Sequence, residues 1–188
     1  FSVISLEMNS RYSNSITNKQ CLFNINLSGD SIGNLDLLDF VKFNLQHYSI
    51  PPEVICFEIT ETAAISDMGN AIKFIEAMRA LGCFFALDDF GNGMCSFSYL
   101  KVLPVDYLKI DGNFVKSMIT KSIDKELVRA VNQVGHVLGM KTIAEFVEND
   151  EVRDALAIIG VDYAQGYGIK MPEPLTHLFE SMKKAKSA

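Results

Sequence analysis

Features that would place a chain in a membrane or an oxidising compartment are missing from these 188 residues. No apolar run approaches the roughly 18 residues that a membrane-spanning helix needs, and no secretory signal is recognisable. The cysteines are scattered without a CxxC pair, which favours buried, reduced thiols. They are Cys21, Cys56, Cys83 and Cys95. We therefore expect a cytoplasmic domain that makes no membrane contact. It could still belong to a longer parent protein that is anchored in a membrane.

Positive charge and histidine are also scarce. The 17 lysines and arginines stand against 23 acidic residues, which gives a formal charge of −6. Domains that bind polymeric nucleic acid through its phosphates are usually basic, so we exclude that class of partner. A small anionic ligand stays open, because a local metal or lysine can hold it. The histidines lack ligand spacing, which argues against histidine-based nucleophilic chemistry.

Strand signals alternate with helix signals along the chain, without repeats or low-complexity linkers, and we expect one domain over residues 1–188. Short apolar, β-branched or aromatic runs predict strands at 21–28, 54–60, 83–89, 106–111, 140–145 and 161–166. Apolar residues at helical spacing predict helices at 35–48, 70–81, 125–138 and 150–160. This alternation is typical of a parallel sheet covered by helices on both faces.

Polar residues stand at or near the C-terminal ends of the predicted strands. They are Asn26, Glu58, Asp88 with Asp89, Lys109, Glu145 and Gln165. A closed eight-stranded barrel builds its site from many strand ends, whereas an open doubly wound sheet concentrates its site at one switch point. We therefore predict an α/β fold of the (β/α)8 TIM-barrel type with about six of its eight strands present, and keep the doubly wound sheet as the alternative. The two other strands are expected before Phe1, where this chain opens with a helix-like segment.

Four of these polar residues are acids, namely Glu58, Asp88, Asp89 and Glu145. Gathered at one rim, they either raise one another's pKa values or recruit cations. Such oxygen ligands suit two Mg²⁺ or Mn²⁺ ions about 3.5–4 Å apart, which can activate a water and stabilise charge on a phosphodiester. Asp88 could bridge the two ions. For each acid alone, the alternative is a solvated strand end or a helix N-cap.

The remaining polar residues suggest roles around those acids. Lys109 could orient the attacking water or hold a phosphate oxygen, and the alternative is a structural ion pair. Gln165 offers an amide to a guanine edge, a phosphate or a water, or makes only a loop hydrogen bond. Glu145 and Glu148 both face the mouth if the chain turns helical after Glu145, and Glu148 would then reach Lys109 or a water.

A glycine-bearing loop, FGNGMCSFSYL at 90–100, follows the adjacent acids. It contains only GxG, so a nucleotide-fold fingerprint is not supported. The loop is either a lid or dimer contact or a plain connector.

The chain resembles the EAL domains of bacterial cyclic di-GMP signalling. The matching motifs are NINLS, FEITE, LDDFGNG…SFSYLK, LKID, TIAEFVE and DYAQGYG, in this order and with fitting separations. The resemblance covers nearly the whole chain and implies a modified (β/α)8 barrel that hydrolyses cyclic di-GMP to linear pGpG with Mg²⁺ or Mn²⁺. It also implies GGDEF or sensory domains upstream in the parent protein, and it leaves a homodimer open.

The resemblance assigns metal ligands to matching positions. Asn26, Glu58 and Asp88 resemble ligands of the first ion. Asp88, Asp89 and Glu145 resemble ligands of the second ion. Both ions would therefore share Asp88.

The resemblance also implies roles for residues around the metals. Lys109 and Gln165 resemble the residues that position the water, with Glu148 as their partner. Glu145 matches the glutamate assigned as general base, although metal activation and base catalysis overlap there. Glu61 resembles the residue that anchors the loop after DDFG.

One departure from the family is large. The glutamate of the EAL signature, a first-metal ligand, and a nearby phosphate-binding arginine have no counterpart here, and both are expected upstream of Phe1. We therefore expect weak or absent hydrolysis by residues 1–188 and full activity in the native protein. The alternative function is an inactive receptor that binds cyclic di-GMP. Such receptors usually lose several metal ligands, whereas the downstream ligands are all present here. An unrelated metal-dependent barrel enzyme is a third possibility.

Overall fold

The protein forms one seven-stranded sheet in the order β1-β7-β6-β5-β4-β3-β2. The computed structural model describes residues 6–7, 22–91 and 97–174. The strands are β1 (Leu6–Glu7), β2 (Phe23–Asn26), β3 (Ile55–Thr60), β4 (Phe84–Phe90), β5 (Tyr107–Ile110), β6 (Lys141–Ala144) and β7 (Tyr163–Ala164). Strands β2 to β7 are parallel and pair in chain order, while β1 pairs with β7 antiparallel.

This order separates the two folds left open by the sequence. A doubly wound sheet reverses its strand order at a switch point, whereas each strand from β3 to β7 here adds beside the preceding one. The six parallel strands and their helices therefore form the curled wall of a TIM-type barrel, as predicted. The described residues contain no helix both long enough and apolar enough to span a bilayer.

Helices connect the strands and begin at polar caps. They are α1 (Leu35–His47), α2 (Glu61–Ser66), α3 (Met68–Ala80), α4 (Gly112–Ser117), α5 (Ser122–Val137) and α6 (Asp150–Ile159). Side-chain oxygens of Asn34, Asp67 and Asn149 accept backbone N–H groups in the first turns of α1, α3 and α6. Gly82 and Gly139 lie just after the ends of α3 and α5. Their φ angles of 102° and 80° lie in the left-handed region, which favours glycine and is typical of the residue that follows a helix. The four predicted helices are confirmed, and the short α2 and α4 were not predicted.

The hydrophobic core lies between the sheet and the helices. In β3, Phe57 and Ile59 belong to this core, and in β4, Phe85 and Leu87 do so. Because side chains alternate across a strand, Glu58 between Phe57 and Ile59 must lie on the opposite, barrel-interior face. Core packing thereby orients the polar residues of successive strands toward one interior.

The start of the chain differs from the prediction of a helix-like segment. Leu6–Glu7 is a strand, because its antiparallel pairing with β7 satisfies backbone groups along that edge of the sheet. The rest of that segment lies outside the described residues.

Candidate active site

A buried lysine connects acids from three neighbouring chain segments at the carboxyl ends of the strands. Lys109, in β5, is only 2% exposed. Its Nζ lies 3.1 Å from Glu58 Oε2, 2.7 Å from Asp88 Oδ1 and 2.8 Å from Glu145 Oε1. One positive charge thus contacts three carboxylates in a site largely closed to water.

A β-bulge presents both adjacent aspartates to this site. Leu87 pairs with Leu108 and Phe90 pairs with Ile110, so the two residues Asp88 and Asp89 stand opposite the single Lys109. Asp89 takes a φ of 56°, in the left-handed region, and its N–H donates to Asp88 Oδ1 at 3.0 Å. A regular strand would send neighbouring side chains to opposite faces. The bulge therefore explains how both acids join one cluster.

The bulge completes a group of acids that could bind a metal. Carboxylate oxygens of Asp88, Asp89 and Glu145 lie within 4.8 Å of one another. Such oxygen donors suit hard divalent cations.

Two buried acceptors at the site have no hydrogen-bond partner among the described residues. They are Glu58 Oε1 and Gln165 Oε1. The backbone of Gln165 is fixed beside β6, because its N–H donates to Ala144 O at 2.8 Å and its carbonyl accepts from Val147 N at 2.9 Å. Leaving a buried acceptor unpaired costs about 1–3 kcal/mol, so these oxygens need a donor or a cation.

Burial and mutual repulsion disfavour the charged acids. Burial raises the pKa of Glu145 to about 7; Lys109 opposes this shift and Asp88 adds to it. Burial also raises the pKa of Glu58 and of Asp89. Burial alone would lower the pKa of Lys109, but the three carboxylates outweigh it and hold that pKa above its ordinary value. Additional positive charge would therefore stabilise the ionised acids.

Glu61 links the loop after the adjacent acids to the start of α2. It is 4% exposed, and its Oε2 accepts from Gly91 N at 3.2 Å. Its Oε1 accepts from the Tyr99 hydroxyl. These contacts fix the two described ends of the loop, whose residues 92–96 lie outside the described part of the chain. The loop-anchoring role stays a prediction, as does the lid or dimer role of the loop.

Asn26 and Glu148 lie at the margin of the site. Asn26 ends β2 in register with Glu58 and therefore lies on the same sheet face, although it is exposed. Glu148 is exposed and is not among the described carboxylate partners of Lys109. The predicted contact rested on a helical turn after Glu145, but α6 begins only at Asp150. The role of Glu148 stays a prediction.

The sequence interpretation missed a buried asparagine beneath the site. Asn24 is 7% exposed and lies on the same sheet face as Asn26 and Glu58. A signal was present, because Asn24 stands two positions before Asn26 in a strand and must share its face.

Together, the fold and site define a TIM-barrel-type α/β domain with a lysine-centred carboxylate cluster at the carboxyl ends of its strands. The family described as "EAL domain" matches residues 2–172. The chain belongs to this EAL domain family, as its motifs predicted.

Relatives with named activities support this membership. The chain is 45% identical over 159 residues to cyclic di-GMP phosphodiesterase PdeB of Shewanella oneidensis, covering 85% of this chain and 19% of that protein. It is 36% identical over 154 residues to cyclic di-GMP phosphodiesterase PdeA of Borreliella burgdorferi, covering 82% and 23%. The chain therefore spans about a fifth of the length of these relatives.

A solved structure shares the fold. The PaMucR phosphodiesterase in complex with c-di-GMP, from Pseudomonas aeruginosa, has a TM-score of 0.79 and 32% identity. The match covers 84% of this chain and 64% of that chain.

Proposed function

We propose that the native protein hydrolyses one phosphodiester of cyclic di-GMP and releases linear pGpG. The observation that carries this proposal is the contact of the buried Lys109 ammonium with three carboxylates from separate segments, two of them buried. Two relatives bear the name cyclic di-GMP phosphodiesterase, and the matched structure is a complex with c-di-GMP. Both support the choice of substrate.

Two divalent ions, Mg²⁺ or Mn²⁺, fit the side chains at this rim. Asn26, Glu58 and Asp88 would hold one ion, and Asp88, Asp89 and Glu145 would hold the other. Glu58 Oε1 is a buried acceptor without a partner among the described residues, and three of the carboxylates already approach within 4.8 Å. Such a pair of ions, when bound, lowers the pKa of a water and stabilises charge on the phosphodiester.

The chain's own residues then place and deprotonate the attacking water. Glu145, which is buried and lies 2.8 Å from Lys109 Nζ, would accept the water's proton. Lys109 contacts three carboxylates with its ammonium, so it would position the water through these acids. Gln165 Oε1 can accept from the water or from a guanine edge. Water oxygen bonds to phosphorus, one ester P–O bond breaks, and the leaving ribose oxygen gains a proton. Glu148 stays a candidate partner in this step.

The proposal is tested with Asp88→Asn in the native protein. We expect pGpG release, followed by chromatography in Mn²⁺, to fall by about 10³-fold or more while the circular dichroism spectrum is retained, because metal and water both depend on this carboxylate. Asp39→Asn, at an exposed position on α1, is the matched control. Unchanged turnover in Asp88→Asn would remove Asp88 from the mechanism.

Binding without turnover would support the receptor alternative instead. Calorimetric titration of cyclic di-GMP in Ca²⁺ and in Mn²⁺ separates the two functions. We expect binding in both ions and pGpG only in Mn²⁺. Tight binding in both with no product in either would identify a receptor. GGDEF or sensory domains in the parent protein and a homodimer stay predictions.

A further inference from the structure

An exposed phenylalanine stands at the rim of the barrel beside the acid cluster. Phe146 is 53% exposed and directly follows Glu145, whose Oε1 lies 2.8 Å from Lys109 Nζ. Its ring packs on the first turn of α4, which begins at Gly112, three residues after Lys109. The ring therefore lies between the exits of β5 and β6, at the carboxyl ends of the strands, where a TIM-type barrel builds its site.

Helix α4 covers only one side of this ring. A Cβ atom on Gly112 would lie 2.0 Å from Phe146 Cδ2, so the ring rests directly on the Gly112 backbone. Lys116 Nζ lies 4.0 Å from the centre of the ring, which is within cation–π distance. Gly112 and Lys116 are four residues apart and share one face of α4. These contacts hold the ring from one side, and the exposed part of the side chain lies away from α4.

The backbone of Phe146 is unfavourable for a bulky residue. Its φ of 50° lies in the left-handed region, where any side chain larger than that of glycine crowds the following carbonyl oxygen. Burial does not offset this cost, because the residue is exposed. Backbone strain of this kind clusters at binding and catalytic sites. Folding alone thus gives little reason for an aromatic residue at this position, whereas a ligand at the rim gives one.

We propose that the open side of the Phe146 ring stacks on a guanine base of the substrate. This inference rests on the proposed function, which it deepens by naming a residue that recognises a planar base. Because Gly112 and Lys116 hold the ring before the ligand binds, little conformational freedom is lost when the base stacks. The Lys116 ammonium also adds positive charge near a dinucleotide that carries negative phosphates.

The experiment measures substrate affinity apart from turnover in the native protein. Cyclic di-GMP is titrated calorimetrically into Phe146→Ala in Ca²⁺, in which we expect binding without hydrolysis. Loss of a base–aromatic stack should raise the dissociation constant by about 5- to 150-fold. In Mn²⁺, KM should rise by a similar factor while kcat changes little, because a stack made equally in the ground and transition states contributes only to binding. Phe146→Tyr should bind like the unmodified protein, and Phe146→Leu, which is apolar but has no ring, should bind more weakly.

Two controls test whether the rest of the site stays intact. The Mn²⁺ affinity of Phe146→Ala, followed by electron paramagnetic resonance, should equal that of the unmodified protein, since this variant removes no oxygen ligand. Phe40→Ala is the matched control, because Phe40 is 64% exposed on α1 and not at the carboxyl ends of the strands. It should leave both the cyclic di-GMP affinity and the Mn²⁺ affinity unchanged.

The outcomes separate this inference from the function beneath it. A dissociation constant of Phe146→Ala or Phe146→Leu equal to that of the unmodified protein would overturn the stacking role and leave the proposed function in place. A lower kcat with unchanged cyclic di-GMP affinity, or a weaker Mn²⁺ affinity, would also overturn it, since Phe146 would then act through Glu145. Absence of cyclic di-GMP binding by the unmodified protein would overturn the proposed substrate and this inference together. If Phe146→Ala does not fold, Phe146→Leu carries the same test, because it keeps bulk against Gly112.

Discussion

Lys109→Met tests whether one buried charge compensates the acids of the site. Methionine keeps most of the aliphatic stem and removes the ammonium, whose distances to Glu58, Asp88 and Glu145 are 3.1, 2.7 and 2.8 Å. Removing one partner of a buried ion pair costs about 3–5 kcal/mol, because the other charge stays buried without compensation. For a domain of this size, each kcal/mol lowers the melting temperature by about 2–4 °C, so we expect a fall of roughly 6–20 °C in EDTA.

Divalent cations should reverse much of the fall in melting temperature that Lys109→Met causes. In saturating Mn²⁺ the ions supply the missing positive charge, so the melting temperature of Lys109→Met should rise more than that of the unmodified protein. Differential scanning calorimetry with and without EDTA measures both quantities. Lys121→Met is the matched control: this lysine side chain is 66% exposed and lies 3.9 Å from Asp124. Exposed pairs contribute about 0–1 kcal/mol, so its melting temperature should change little in either buffer.

Two results would refute this reasoning. A metal-free melting temperature of Lys109→Met close to that of the unmodified protein would mean that the acids need no cation. A large loss that Mn²⁺ leaves unchanged would mean that divalent ions do not replace the positive charge of Lys109 at this site.

Two further predictions concern the hydrogen bonds accepted by Glu61 and by Asp162. Glu61→Leu removes the acceptor of Gly91 N and of the Tyr99 hydroxyl. We expect the free energy of unfolding in urea to fall by about 1–3 kcal/mol, and pGpG release to fall at temperatures well below the melting temperature. Unchanged turnover would argue against an anchoring role. Burial tends to raise the pKa of Asp162, but hydrogen bonds from Lys141 and from the Thr142 N–H outweigh it and hold that pKa below its ordinary value of 3.8. Ionised Asp162 therefore stabilises the folded state above pH 3.8, and this contribution is lost as the pH falls through the folded-state pKa. Asp162→Asn should therefore lower the melting temperature at pH 7 and match the unmodified protein in strong acid, and a pH-independent difference would contradict this sign.

The fold could be predicted because the apolar pattern of the strands and the helical spacing of apolar residues both follow from packing of helices against one sheet. Apolar residues on alternate strand positions must contact the helices, which leaves the intervening polar residues in the barrel interior. That reasoning places Glu58 and Lys109 correctly from their neighbours alone. It does not give the position of Glu148, because Phe146 takes a φ of 50° and the chain does not turn helical until Asp150. A local backbone turn of this kind leaves no periodic signal.

The contacts inside the site depend on register, which the sequence did not reveal. Lys109 stands opposite Ile143 on one side and opposite the bulged pair Asp88 and Asp89 on the other. Asp88 and Asp89 can both join the acid cluster only because the bulge inserts an extra residue into β4. Nothing in the letters DD distinguishes a bulge from a regular strand end. The ends of parallel strands therefore indicate which residues gather at the rim, whereas the stagger between strands decides which of them touch. Asn24 illustrates the same limit: its position two before Asn26 fixes its face, but only the β2–β3 register shows that it lies beside Cys56, one residue pair below Asn26 and Glu58.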